Sequence, residues 1–215
     1  MFIRVTRVQA PPDKVQEAIQ NFETNILPGV RKTPGNQGAV LLINRQTGAG
    51  LGVTYWESAK AMAASEQMGN QTRAQSAKDV PGTAVINVER GELMIMDRAA
   101  APKAGSAVRA VTVNGDPEKL DASIVQIRNH VLPILKAQKG YRATIVSVDR
   151  QTGRLAASTV WDTKADLDAS ESKIAGPRAE AAKIAGAGPS DVLVEIFETA
   201  VVELSAVTAQ ATTKA

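Results

Sequence analysis

The sequence predicts an α+β fold made of two tandem βαββαβ units that pack sheet to sheet as a pseudo-twofold α+β barrel. Three observations predict it. First, a shift of 105 positions lays Ile26-Leu27-Pro28 on Val131-Leu132-Pro133 and Asn44-Arg45-Gln46-Thr47-Gly48 on Asp149-Arg150-Gln151-Thr152-Gly153. The same shift lays Trp56-Glu57-Ser58 on Trp161-Asp162-Thr163, Ala64-Ser65-Glu66 on Ala169-Ser170-Glu171, Arg4 on Arg109 and Arg73 on Arg178. Second, apolar spacing changes from strand-like to helical and back in the same order in both copies. Third, the hairpin strands are apolar at both parities, with Ala39, Leu41 and Ile43 on one side and Val40 and Leu42 on the other, so both faces of the sheet need cover.

The elements follow in chain order. Residues 2–8 and 107–113 read as the first strands. Residues 13–31 and 118–136 carry Val15, Ile19, Phe22 and Ile26, and Leu120, Ile124, Ile127 and Val131, at helical spacing. Pro12 and Pro117 suit a first helical turn, whereas Pro28 and Pro133 should kink the helix or restart it in a short last turn, before Gly35 and Gly140 end it. The Asn/Asp-Arg-Gln-Thr-Gly segments have hairpin-loop composition and join residues 39–45 to 50–56 and 144–150 to 155–161. Ser58 and Thr163 are expected to cap the second helices, and Gly176-Pro177 to break the second of these. Last strands cover about 84–96 and 191–204. The expected organisation is a repeat over 1–97, a linker over 98–106, a repeat over 107–204, and a disordered polar tail over 205–215.

Composition limits the function classes. A chain of 215 residues that is 44% hydrophobic can build a packed core. Its net charge is +3, and the basic residues are interleaved with acidic ones, so no clustered phosphate-binding surface and no nucleic-acid partner are expected. Zero cysteines exclude thiolate nucleophiles and sulfur-ligated metals, and a single histidine leaves no zinc-type ligand set, so no metal is expected. No membrane span or signal segment is read, which makes a cytoplasmic protein the expectation. The run Gly48-Ala49-Gly50-Leu51-Gly52 lies in a hairpin with no helix after it and is not read as a phosphate loop.

The Leu-Pro followed by Gly35 or Gly140, the Arg-Gln-Thr-Gly hairpin, and the Trp-acid-hydroxyl step into the second helix resemble the dimeric α+β barrel superfamily. That superfamily includes antibiotic-biosynthesis monooxygenase-like proteins, and the resemblance covers about 95 residues of each copy. It implies ferredoxin-like units and, in a tandem chain, an intramolecular pseudo-dimer. It also implies a protein that binds a small hydrophobic or aromatic molecule, with cofactor-independent oxygenation as one reading and a non-catalytic ligand-binding or stress-associated barrel as the other; no cofactor is expected. Many members carry a His nine residues after the Trp, where this chain has Ser65 and Ser170, and the haem-degrading members' first-strand Asn is absent.

Candidate site residues follow from the repeat. Trp56 and Trp161 could wall a pocket in each half, or seal the junction of sheet and helix. Ser65 and Ser170 could hydrogen-bond a ligand, or bond back to their own helix. Arg73 and Arg178, each seven residues from Glu66 or Glu171, could bind an anion at a pocket mouth, or form a solvent-facing ion pair. Tyr55 and Tyr141 are unrepeated and would make the pockets unlike. His130, the sole imidazole, is the natural general base near neutral pH and is present in one half only.

Overall fold

In the computed structural model, residues 1–205 are described. They form eight strands: β1 (Phe2–Gln9), β2 (Asn36–Ile43), β3 (Ala49–Trp56), β4 (Ala84–Arg98), β5 (Ala107–Asn114), β6 (Tyr141–Asp149), β7 (Arg154–Trp161) and β8 (Val192–Leu204). The α-helices are α1 (Val15–Asn21), α2 (Leu27–Arg31), α3 (Ala59–Ala64), α4 (Glu66–Asp79), α5 (Leu120–Gln126), α6 (Leu132–Lys136) and α7 (Lys164–Ile184).

The chain separates into two compact units, Met1–Arg90 together with the chain from Phe197, and Gly91–Ile196. These boundaries cut through β4 and β8. The units are therefore not the sequence repeats 1–97 and 107–204, because each repeat gives the end of its last strand to the other unit. In the first unit the strand order is β4–β1–β3–β2–β8, and in the second it is β8–β5–β7–β6–β4. The ladders β1–β3, β2–β3, β2–β8, β4–β6, β5–β7 and β6–β7 are antiparallel. Asp97 and Arg98 are strand residues rather than the start of a loose linker. Ala99 and Ala100 both donate to the Arg142 carbonyl, and Ser106 is fully buried. Ser205 is held by its N–H on the Gln37 carbonyl, and the rest of the polar tail, 206–215, lies outside the described residues.

Local chemistry accounts for the elements. The hairpin loops close through Asn44 Oδ1, which accepts from the Gln46 and Thr47 N–H groups, and Asp149 Oδ1, which accepts from Gln151. Gly48 and Gly153 close these loops at φ 77° and 75°, where a side chain would be strained. A Cβ on Gly48 would also lie 1.9 Å from the Ala10 carbonyl oxygen. Ser58 and Thr163 cap their helices by accepting from Ala61 and Asp166.

At its proline the helix after the first strand restarts in a short last helix, one of the two expected forms. It passes through a π turn, Phe22–Ile26 in one unit and Ile127–Val131 in the other, before Pro28 or Pro133 opens the short last helix. The Leu27 and Leu132 N–H groups bond five residues back, to Phe22 and Ile127. Proline lacks the N–H for the regular ladder, and the wider turn absorbs that loss.

The expected break at Gly176-Pro177 is absent: α7 runs unbroken from Lys164 to Ile184. Burial of Leu167, Ile174, Ala181 and Ala182 on both sides of Pro177 keeps it continuous through the missing bond. The interruption falls instead in the first unit, at Ser65, between α3 and α4.

Candidate functional site

In each unit a cavity lies between the sheet and its helices. The first has a volume of about 120 Å3. Arg4, Thr6 and Val8 project into it from alternate positions of β1, and Gly52, Thr54 and Trp56 from alternate positions of β3. Phe22 and Ile26 of the π turn add apolar surface, while Ser65, Gly69 and Arg73 come from the second helix. The second cavity, about 60 Å3, is built from the same frame, with Arg109, Thr159, Ile127, Val131, Ile174 and Arg178 among its lining residues.

The most buried charged residue of each unit is an arginine on the first strand that was not among the candidate residues read from the sequence. Arg4 is only 4% exposed and Arg109 only 3%. Arg4 Nη2 donates to the Met62 carbonyl at 2.5 Å and to Ser65 Oγ at 3.0 Å, and lies 3.0 Å from Glu66 Oε2. Its guanidinium stands over the Trp56 ring at 5.2 Å, a cation–π arrangement. Arg109 repeats the pattern on the Leu167 carbonyl at 2.8 Å, Ser170 Oγ at 3.0 Å and Glu171 at 2.9 Å. The only sequence signal was that Arg4 and Arg109 coincide under the 105-residue shift.

Each arginine belongs to an ion network whose charge differs between units. Glu66 takes Arg4, Arg73 at 2.6 Å and Arg90 at 2.8 Å. Glu171 takes Arg109 and a two-pronged Arg178, with Nη1 on Oε2 at 3.1 Å and Nη2 on Oε1 at 2.5 Å. Burial raises the Glu66 carboxyl, but the hydrogen bond from Arg90 and the charges of Arg4 and Arg90 outweigh it, leaving the group below its ordinary value. Glu171 is lowered by the Arg178 hydrogen bond first, with burial opposing and the Arg109 charge assisting. Burial lowers both Arg4 and Arg109. Glu66 opposes this for Arg4 while Arg73 and Arg90 add to it; Glu171 opposes it for Arg109 while Arg178 adds to it and Asp168 opposes it.

The candidates read from the sequence fare unequally. Trp56, Ser65 and Arg73 meet at the first cavity, and Arg178 lines the second. Ser65 and Ser170 both donate back to their own helix, to the Met62 carbonyl at 2.7 Å and the Leu167 carbonyl at 2.6 Å. Ser170 is buried and is not among the residues lining the second cavity. Trp161 is likewise fully buried outside that lining; its indole N–H donates to Thr159 Oγ1, and its ring packs edge to face with Tyr141 at 5.9 Å.

Tyr55 is corrected: it neighbours Trp56 on β3, so the strand's period of two turns it to the opposite face, away from the cavity. His130 is corrected as well. It lies exposed on the π turn while Ile127 and Val131 turn inward, and it does not line the second cavity, so it cannot act as a base there. Tyr141 serves the core of the second unit, its O–H donating to Asp97 Oδ1 at 3.0 Å and its oxygen lying 2.9 Å from Thr144 Oγ1; burial pushes its phenol well above the ordinary range.

Residues 1–77 match the model of the family described as antibiotic biosynthesis monooxygenase, ABM. That match runs from β1 into α4 and shows the likeness of this part of the chain. The chain is 28% identical to the uncharacterized protein Rv2557 of Mycobacterium tuberculosis over 163 residues, which covers 76% of this chain and 72% of that one. Among solved structures, the chain resembles an anthrone oxidase-like protein at TM-score 0.68 and 14% identity, with 95% and 94% of the two chains covered. It also resembles the heme-degrading enzyme of Listeria monocytogenes at TM-score 0.53 and 10% identity, with 91% and 98% covered. At these identities the structural likeness shows the fold. No helix among the described residues is long and apolar enough to cross a membrane.

Proposed function

We propose that the first unit is the binding half of this protein, taking up a small hydrophobic or aromatic metabolite in the cavity walled by Trp56, Phe22 and Ile26, and that its reaction is monooxygenase-like without a bound cofactor. The observation that carries the binding reading is the larger cavity, about 120 Å3, at the place where the ABM-like sequence match lies. Concave, mainly apolar space with a few convergent polar groups is the usual form of a small-molecule site. The name of the anthrone oxidase-like neighbour supports an aromatic substrate as a proposal. In cofactor-independent oxygenation the substrate supplies the electrons, and the protein has to exclude water and stabilise the electron-rich form. Trp56 and the buried guanidinium of Arg4 suit that task.

A second reading, binding without turnover, is favoured by the lining itself, which holds no imidazole and no carboxylate. One experiment separates the readings. The Trp161→Phe protein reports binding of an aromatic probe through Trp56 fluorescence, and oxygen uptake is followed with anthrone as substrate. Saturable quenching with oxygen consumption supports the enzyme reading. Quenching without oxygen uptake supports the binding reading. Loss of neither fluorescence nor oxygen contradicts both.

A further inference from the structure

We propose that the ligand of the first unit carries one negative charge, a carboxylate, at the end that meets Arg4 and Arg73. This deepens the binding reading above and rests on it. The two terminal nitrogens Arg4 Nη1 and Arg73 Nη1 make no hydrogen bond to any described residue, because Arg4 binds Met62, Ser65 and Glu66 through Nη2 and Arg73 binds Glu66 and Asn70 through Nη2. Both Nη1 atoms lie within 3.3 Å of a single point, the place a Cβ would take on Gly69. Arg4 Nε, buried, also has no partner. Arg4, Gly69 and Arg73 all line the cavity, so this pair of unused donors stands at its wall.

The charge balance points the same way. Three arginines, Arg4, Arg73 and Arg90, share the one carboxylate of Glu66. Arg90, with 45% of its side chain exposed, is screened by water, while the Arg4 and Arg73 side chains are 5% and 14% exposed. Arg4 and Arg73 are thus two largely buried cations on one carboxylate, an excess the second unit shares through Arg109, Arg178 and Glu171; what sets the first unit apart is that its excess charge comes with unused donors at the cavity wall, which a monoanion can fill. The second unit shows the closed alternative. There both terminal nitrogens of Arg109 and of Arg178 are engaged by Ser170, the Leu167 carbonyl and Glu171, and Ile196 stands where the repeat has Arg90. A guanidinium presents its donors in a plane that a carboxylate matches, which selects this anion over a spherical one.

The test is calorimetric titration of the full chain with benzoate and with benzamide, which share ring and shape and differ in charge. Benzoate is expected to bind about tenfold tighter in low salt, as a charge-assisted contact replaces a neutral one, and Arg73→Gln should bring the two probes together. Glu66→Gln, which keeps the shape and removes the balancing charge, should strengthen benzoate binding, a gain that loss of folding cannot mimic. Equal affinity for the two probes in the unsubstituted protein overturns the anion assignment and leaves the cavity reading standing. Binding of neither probe overturns both. A Glu66→Gln protein that retains its circular dichroism and binds benzoate more weakly overturns the charge argument.

Discussion

The two units place the same arginine, serine, glutamate and second-helix arginine on the same frame, yet one interior is about twice as open as the other, at about 120 Å3 against about 60 Å3. The difference is concentrated on the second helix. Gly69 of the first unit corresponds to Ile174 of the second, which is 4% exposed and lines the smaller cavity. A β-branched side chain there fills space that glycine leaves empty. Gly52 against Ala157 and Ala18 against Ser123 are lesser differences; Ser123 donates to the Ala181 carbonyl at 2.8 Å and so staples α5 to α7. Duplication thus kept the charged frame in both copies while one copy's interior closed, with its arginines fully paired, and the other kept both room and unused donors.

The largest effect expected from this contrast is on stability. Ile174→Gly removes a buried side chain and adds backbone freedom to a helix, at a cost of about 4 kcal/mol in a chemical-denaturation series. The reverse change, Gly69→Ile, should abolish probe binding in the first unit while leaving the protein folded. The nearest obstacles to a new side chain there are the Arg73 and Arg4 guanidiniums at 3.1 and 3.3 Å, flexible ends rather than backbone. If Gly69→Ile left binding intact, the idea that this one position sets the contrast would be wrong.

How much of this was legible in the sequence depends on the kind of interaction. The duplication, the helix caps at Ser58 and Thr163, and the hairpins closed by Asn44 and Asp149 are local, so spacing and residue type were enough. Arg4 and Arg109 were visible only as matches, because a charged residue on a strand says nothing about burial until its partners arrive from Met62, Ser65 and Glu66, some sixty residues away. The exchange of strand ends in β4 and β8 was hidden for the same reason: alternation marks a strand but not its neighbour. Pro177 misled because its own propensity opposes a helix that tertiary burial restores. His130 borders an apolar stripe in sequence, yet the π turn places it on the solvent side.

A second, smaller effect sharpens the comparison of the arginines. Arg109→Met strands a buried network in which every terminal donor was used, and should cost about 3 kcal/mol. Arg4→Met removes a cation from a unit with too many, and one whose Nε and Nη1 make no hydrogen bond, and should cost about 1 kcal/mol. Thermal melts of the two variants decide it, and equal losses would mean that the charge excess around Glu66 carries no strain.

The acid dependence follows from the carboxylates. Glu66 and Glu171 both sit below their ordinary value of 4.5 in the folded protein. A depressed carboxylate contributes stability that is complete above the unfolded value and is lost as pH falls through the folded one. Melting temperature should therefore hold steady from neutral pH down to about 5.5 and decline below about 4.5. The decline should be shallower in Glu171→Gln than in the unsubstituted chain, and a steady melting temperature through the acid range would sink the assignment.

The smallest expected effect tests the paired serines. Ser65 and Ser170 each donate to the helix behind them and accept from the buried arginine, so their own geometry is nearly the same. What differs is the arginine. Ser170 takes Arg109 Nη1, which has no other described partner, whereas Ser65 takes Arg4 Nη2, which also reaches Met62 and Glu66. Ser170→Ala should thus leave a buried donor unmet and cost about 1.5 kcal/mol, while Ser65→Ala should cost about 0.5 kcal/mol. In the presence of saturating benzoate the Ser65→Ala loss should shrink further, since the ligand offers the guanidinium a new acceptor.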